Sequence, residues 1–195
     1  MTRALIDRLN SRFEAAASGR NVLVVFVVAL LVFSLFGMWL VPAFQAATNG
    51  RYPIDMVMPT TPATIHENFA AYTAESVRIY RRFLVVDFFW PPLLAILFAM
   101  AWSWLAKRSW SALPGRMIGA GVLLLPFAEA LLDLLENLGF FVLLENHPTP
   151  LPTVVWVTAG VRYAKLVLYV LCWSVTLLFA VLAIRSAGIG RRARR

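Results

Sequence analysis

Cysteine, histidine and charge are all scarce in this sequence, and each scarcity excludes something. The one cysteine, Cys172, lies inside an apolar run, so neither an internal disulfide nor a Cys-x-x-Cys redox pair exists. The two histidines, His66 and His147, both fall outside the apolar runs. No haem is therefore expected on a histidine inside a span. Glu67 and Glu145 lie near these histidines, but histidines so placed in loops read as solvated, and neither metal nor other cofactor is expected. Serine-hydrolase elbows, phosphate-binding loops and zinc motifs are absent. Charged residues make up 14% of the chain, well below the quarter or so usual in a soluble domain, while hydrophobic residues reach 61%.

The apolar residues are gathered into long runs, which is the pattern of a membrane protein. Four spans are expected, at about residues 22–41, 83–106, 117–144 and 153–184. The first is about 20 residues long, which gives ~30 Å of helix, and no Ala-x-Ala site follows it, so it reads as a span and not as a signal peptide. Pro42 should end it. Two amphipathic helices are expected at the surfaces. One covers residues 2–18, with Leu5, Leu9 and Phe13 four apart and Arg8 and Arg12 on other faces. The other covers residues 64–80, opened by a Thr64/Glu67 capping box and carrying Ile65, Phe69 and Tyr72 on one side. The fold class that follows is an all-α integral membrane protein, a single-domain four-helix bundle with these two interfacial helices.

Orientation follows from where the basic residues lie. The formal charge is +8, which alone would permit a nucleic-acid partner. Its location excludes that reading. Arg3, Arg8, Arg12 and Arg20 crowd one terminus, and Arg185, Arg191, Arg192, Arg194 and Arg195 crowd the other. The turn with Lys107, Arg108 and Arg116 has no acidic residue, whereas the turn at 145–152 has no lysine or arginine. Basic segments stay on the cytoplasmic side, so both termini are expected there. The partners implied are the bilayer itself and anionic lipids at the basic termini; no protein partner can be named.

The chemistry lies in the charges that the spans enclose. A charged side chain at mid-bilayer costs about 2.5–3.5 kcal/mol even on lenient scales. Asp87, Glu129, Asp133, Glu136, Arg162 and Lys165 all fall inside spans. Helical spacing gathers Glu129, Asp133 and Glu136 within roughly 60° of one another, and puts Thr158, Arg162, Lys165 and Tyr169 on one face of the last span. Glu136 and Arg162 lie each about 13 Å from the outer end of their helices, and Asp133 and Lys165 each about 18 Å. Antiparallel neighbours would thus bring Glu136 level with Arg162 and Asp133 level with Lys165. Glu129, nearer the cytoplasmic side, stands outside these two pairings. Asp87 precedes Pro91 and Pro92, which deprive the carbonyls of Asp87 and Phe88 of helical partners. A kink is expected there, with Arg81 and Arg82 near enough in sequence to balance Asp87. Pro126 should loosen the third span one turn before Glu129.

Tyr80 and Asp87 separated by six residues, a following proline, then Asp133-x-x-Glu136-Asn137 and Lys165 together resemble a group of bacterial four-span membrane proteins without assigned activity. The resemblance covers about residues 64–170, and the Asp-x-x-Glu-Asn element is its most specific part. It implies the fold and a bacterial cytoplasmic membrane. A looser similarity is to the emopamil-binding, sterol-isomerase-like family, which also sets acidic residues in a small helical bundle; the span histidine of those isomerases has no counterpart here.

Three functions fit. The first is binding or moving a small polar or lipid ligand at Asp87, Asp133, Glu136, Asn137, Arg162 and Lys165, with Glu129 and Tyr169 on the same faces. The second is a lipid-modifying enzyme with Asp133 or Glu136 as acid or base. The third is a structural or accessory subunit in which ion pairs hold helices together.

Overall fold

A computed structural model describes residues 3–192, with side chains to residue 188. The expected start of the first helix at residue 2, and the arginines 191, 192, 194 and 195 expected at anionic lipid, lie outside the described backbone or side chains. The described chain is all helical, 84% of it in helix with no strand. Its helices are α1 (Arg3–Ala16), α2 (Gly19–Leu35), α3 (Val41–Ala47), α4 (Pro62–Ala70), α5 (Ala74–Asp87), α6 (Trp90–Arg108), α7 (Leu113–Gly119), α8 (Leu125–Asn146) and α9 (Pro152–Arg192).

Three stretches are long and apolar enough to cross a membrane: Gly19–Ala47, Ala74–Arg108 and Pro152–Gly188. A fourth qualifies if Leu113–Gly119 and Val122–Asn146, which meet at a 65° bend, count as one broken span. In the apolar windows of the first and the last, only 11% and 17% of residues are buried. Phe33, Met38, Trp156, Val170 and Leu177 are among the large apolar side chains facing outward.

Several boundaries differ from the expected ones, each for a local reason. Pro42 does not end the first apolar helix. Residues Phe36–Leu40 form a π-helical turn in which the Val41 N–H reaches back to the Phe36 carbonyl, and Pro42 then sits in the first turn of α3, where its missing N–H costs nothing. Pro126 likewise falls at the start of α8 and loosens nothing. The break lies earlier, at Gly121, whose φ of 93° favours glycine. The helix expected at 64–80 is two helices. Thr61, not Thr64, caps α4 by accepting the Thr64 N–H, and the capping box belongs to Thr73 and Ser76 at the start of α5. Glu67 is free of the cap and pairs with Arg51 at 3.8 Å. Before Pro91 and Pro92 the helix is interrupted: α5 stops at Asp87, Phe88 and Phe89 form a turn, and α6 starts at Trp90, within one stretch long enough to span.

The chain divides into two compact units. The first comprises Met1–Val28, Leu93–Glu129 and Val167–Arg195. Its centre is aromatic, with Trp102 against Phe98 and Phe179 at 5.8 and 6.2 Å. The apolar side of α1 does not lie free: Phe13 meets Phe127 at 5.6 Å, and the Asn10 amide donates to the Ile118 carbonyl. The second unit comprises Ala29–Pro92 and Ala130–Leu166. Its core joins Phe44, Ile54, Phe69, Tyr80, Phe83, Phe140 and Val155.

Candidate functional site

The charged residues of the second unit meet along one face of α8 and α9. Gly139 permits the approach. A Cβ at this position would overlap the Thr158 hydroxyl, so the two helices pack closely only because no side chain intervenes. One turn away lie the carboxylates. Lys165 Nζ is 3.1 Å from Asp133 Oδ1 and also ion-pairs with Glu136 Oε2. Arg162 Nε is 3.6 Å from Glu136 Oε1. Both pairings drawn from depth are present, and the second Lys165 contact joins them into one network. Glu136 and Asn137, each 1% exposed, and Arg162, 6% exposed, are buried, while Asp133 and Lys165 are half-buried.

Arg162 does more than face Glu136. Its guanidinium donates to the Val57 carbonyl and the Thr60 hydroxyl, each at 3.0 Å, and to the Asp55 carbonyl. The planar fork matches this task, since its donors diverge in fixed directions. The loop before α4 is thereby fastened over the helices. Tyr72 fastens it again, its hydroxyl accepting the Ile54 N–H at 3.0 Å.

This loop delivers a carboxylate that the charge pattern of the spans did not contain. Asp55 lies in a 3-10 turn, Ile54–Met56, with the Tyr80 hydroxyl beside it and Glu136 and Arg162 in electrostatic reach. Burial pushes its carboxyl from the usual 3.8 to about 7; a backbone hydrogen bond opposes this, the Glu136 charge adds to it, and Tyr80 and Arg162 draw it back. Asp87 stands within reach of Asp133, Asp55 and Lys165, and beside Asn137. Arg81, expected to balance Asp87, is instead held by Glu145 in a two-point contact of 2.7 and 2.9 Å, and Arg82 is exposed. The geometry of the fork explains the choice, because Glu145 offers both oxygens in its plane.

Two expected members lie elsewhere. Glu129 belongs to the first unit, where it is 2% exposed and close to Cys172. Tyr169 also belongs to the first unit and packs its ring at 6.2 Å from Trp173. The centre therefore consists of Asp55, Asp87, Asp133, Glu136, Asn137, Arg162 and Lys165, with Tyr80 among them. Within this group the Tyr80 hydroxyl meets Asp55 and the Asn137 side chain meets Asp87.

The sequence signal for Asp55 was present but weak. Pro53, Ile54 and Val57 make the loop apolar around a single acid, which is unusual for a segment left in water. The two histidines, set apart in sequence, come together with ring centres 6.0 Å apart, yet among the described residues no three metal-binding side chains converge.

No protein-family model, no curated protein and no solved structure matches the chain.

Proposed function

We propose that this chain crosses a membrane four times, with both termini on the cytoplasmic side, and that the charged centre binds a small polar ligand carrying a positive charge. The outward-facing apolar residues of α2 and α9 support the first part, since side chains this apolar find their complement in lipid. The alternation of basic and non-basic turns supports the orientation, and the resemblance noted for residues 64–170 supports a bacterial cytoplasmic membrane.

The second part is carried by one observation. Four carboxylates, Asp55, Asp87, Asp133 and Glu136, share their surroundings with two cations, Arg162 and Lys165, an excess of two negative charges. Two protons, or one proton and a cationic group, close that balance. An ammonium or guanidinium suits it, because it brings N–H donors to the carboxylates along with its charge.

Asp55 also sets the pH dependence. The folded chain holds this proton up to about pH 7, while an unfolded carboxyl releases it near 3.8. Stability attributable to Asp55 is thus fully present below 3.8 and is lost as pH rises towards 7. A cation that replaces the proton binds more tightly as pH rises through 7. Purified protein in detergent, titrated calorimetrically with methylammonium and guanidinium, tests this. The expected result is binding that strengthens from pH 6 to pH 8 and disappears in Asp55→Asn. Binding absent at both pH values, or equal in the variant, overturns the reading.

One observation favours a different role. Arg162 and Lys165 are fully engaged by protein groups, as ion pairs serving only to hold helices would be. That structural reading accounts for the paired charges and leaves the two surplus carboxylates unexplained.

A further inference from the structure

A concave feature lies in the first unit, where the cytoplasmic end of α6 meets α9. It encloses about 540 Å³. One wall is the stripe Ala180, Ala183 and Ala187 of α9, small residues that leave the helix backbone accessible over about 10 Å. Trp104 and Trp110 form the other wall, and the mouth holds Lys107 and Arg108. No acidic residue lines it.

The basic end is built, not incidental. Arg108 stacks its guanidinium 4.2 Å above the Trp104 ring, which fixes its direction while leaving its N–H donors open. Lys107 donates to the backbone carbonyls of Glu14 and Ala17 at the end of α1. Those contacts orient its ammonium without neutralising it. Among the described residues, neither Lys107 nor Arg108 has a carboxylate partner. The turn that carries Trp110 is tied to α9 by its N–H donating to the Ser186 hydroxyl at 2.9 Å, and Trp110 remains 66% exposed. Tryptophan so placed belongs at the level of lipid headgroups.

We infer that this groove is a binding site for an anionic phospholipid, with an acyl chain along the alanine stripe and the phosphate on Arg108 and Lys107. The chemistry on each side requires both halves of such a molecule. A zwitterionic lipid brings a cation towards two cations, and a free phosphate leaves the apolar wall uncovered. The inference rests on the chain lying in a membrane and is independent of the cation site.

The test uses the full chain purified in mild detergent, with phosphatidylglycerol, phosphatidylcholine or inorganic phosphate added. Phosphatidylglycerol is expected to raise the melting temperature and to remain bound in native mass spectra, whereas the other two do neither. Arg108→Gln should weaken phosphatidylglycerol binding about fivefold. Ala187→Phe, at an exposed position, should fill the groove and abolish binding while leaving the lipid-free melting temperature unchanged. An equal shift from phosphate alone, or undiminished lipid binding in both variants, overturns the proposal. Carbonate extraction keeps the two premises apart. Protein released from membranes by carbonate contradicts the membrane reading, and protein that stays in membranes but does not discriminate lipids contradicts only the groove.

Discussion

The two compact units hold their helices by different means. In the first, Trp102 is fully buried, and its indole N–H donates to the Thr176 hydroxyl at 2.7 Å, which in turn donates to the Cys172 carbonyl. The contacts of Trp102 are aromatic rings and a neutral hydrogen bond, and the unit also buries Glu129 near Cys172. In the second, the equivalent stretches of α8 and α9 meet through Asp133, Glu136, Arg162 and Lys165. One chain thus contains both solutions to helix association. Neutral contacts cost less to bury than ions, and a paired ion set often contributes no more stability than well-packed apolar residues would. The charged unit is the one for which we propose a ligand.

Variants can sharpen or break this contrast. The largest effect is expected at Arg162, since removing it leaves Glu136 buried without one of its cations and unties the Asp55–Thr60 loop. Arg162→Met should lose about 3–5 kcal/mol in reversible unfolding. A loss under 1 kcal/mol would mean the loop stands without it. Next comes the helix contact. Gly139→Ala should cost about 1–3 kcal/mol through overlap with Thr158, and Thr158→Ala in the same chain should restore most of it. If the second change restores nothing, the close approach of α8 and α9 is not what Gly139 provides. The smallest is at Trp102. Trp102→Phe removes the indole donor and keeps an aromatic ring, so about 1–2 kcal/mol should be lost, with no change in cation binding.

Much of this architecture was legible from residue pattern. The four apolar runs correspond to the three long apolar stretches and the broken one, and counting residues inward from helix ends was enough to bring Arg162 level with Glu136 and Lys165 level with Asp133. Such counting works because an antiparallel helix pair preserves depth. It fails where the chain leaves the helix. Asp55 and Thr60 reach the centre through a folded loop, and no periodicity relates a loop position to a helix face. Tyr169 failed for the opposite reason: it continues the stripe of Arg162 and Lys165, but four residues beyond Lys165 the helix has risen about 6 Å, and the ring packs on Trp173. Proline was the other source of error. Pro42 and Pro126 look like breaks, but a first helical turn tolerates proline, so Gly121 and the π-helical turn before Val41 mark the real irregularities.

The most direct test of the central claim replaces Asp133 by Asn and Lys165 by Met, singly and together, and measures both melting temperature and guanidinium binding. The account predicts that the double variant melts at or above the parent temperature and no longer binds guanidinium, because the charges are kept for the ligand. A double variant that melts far below the parent, while a parent titrated alongside binds nothing, would show that the pair serves to hold the helices and that the proposed site does not exist.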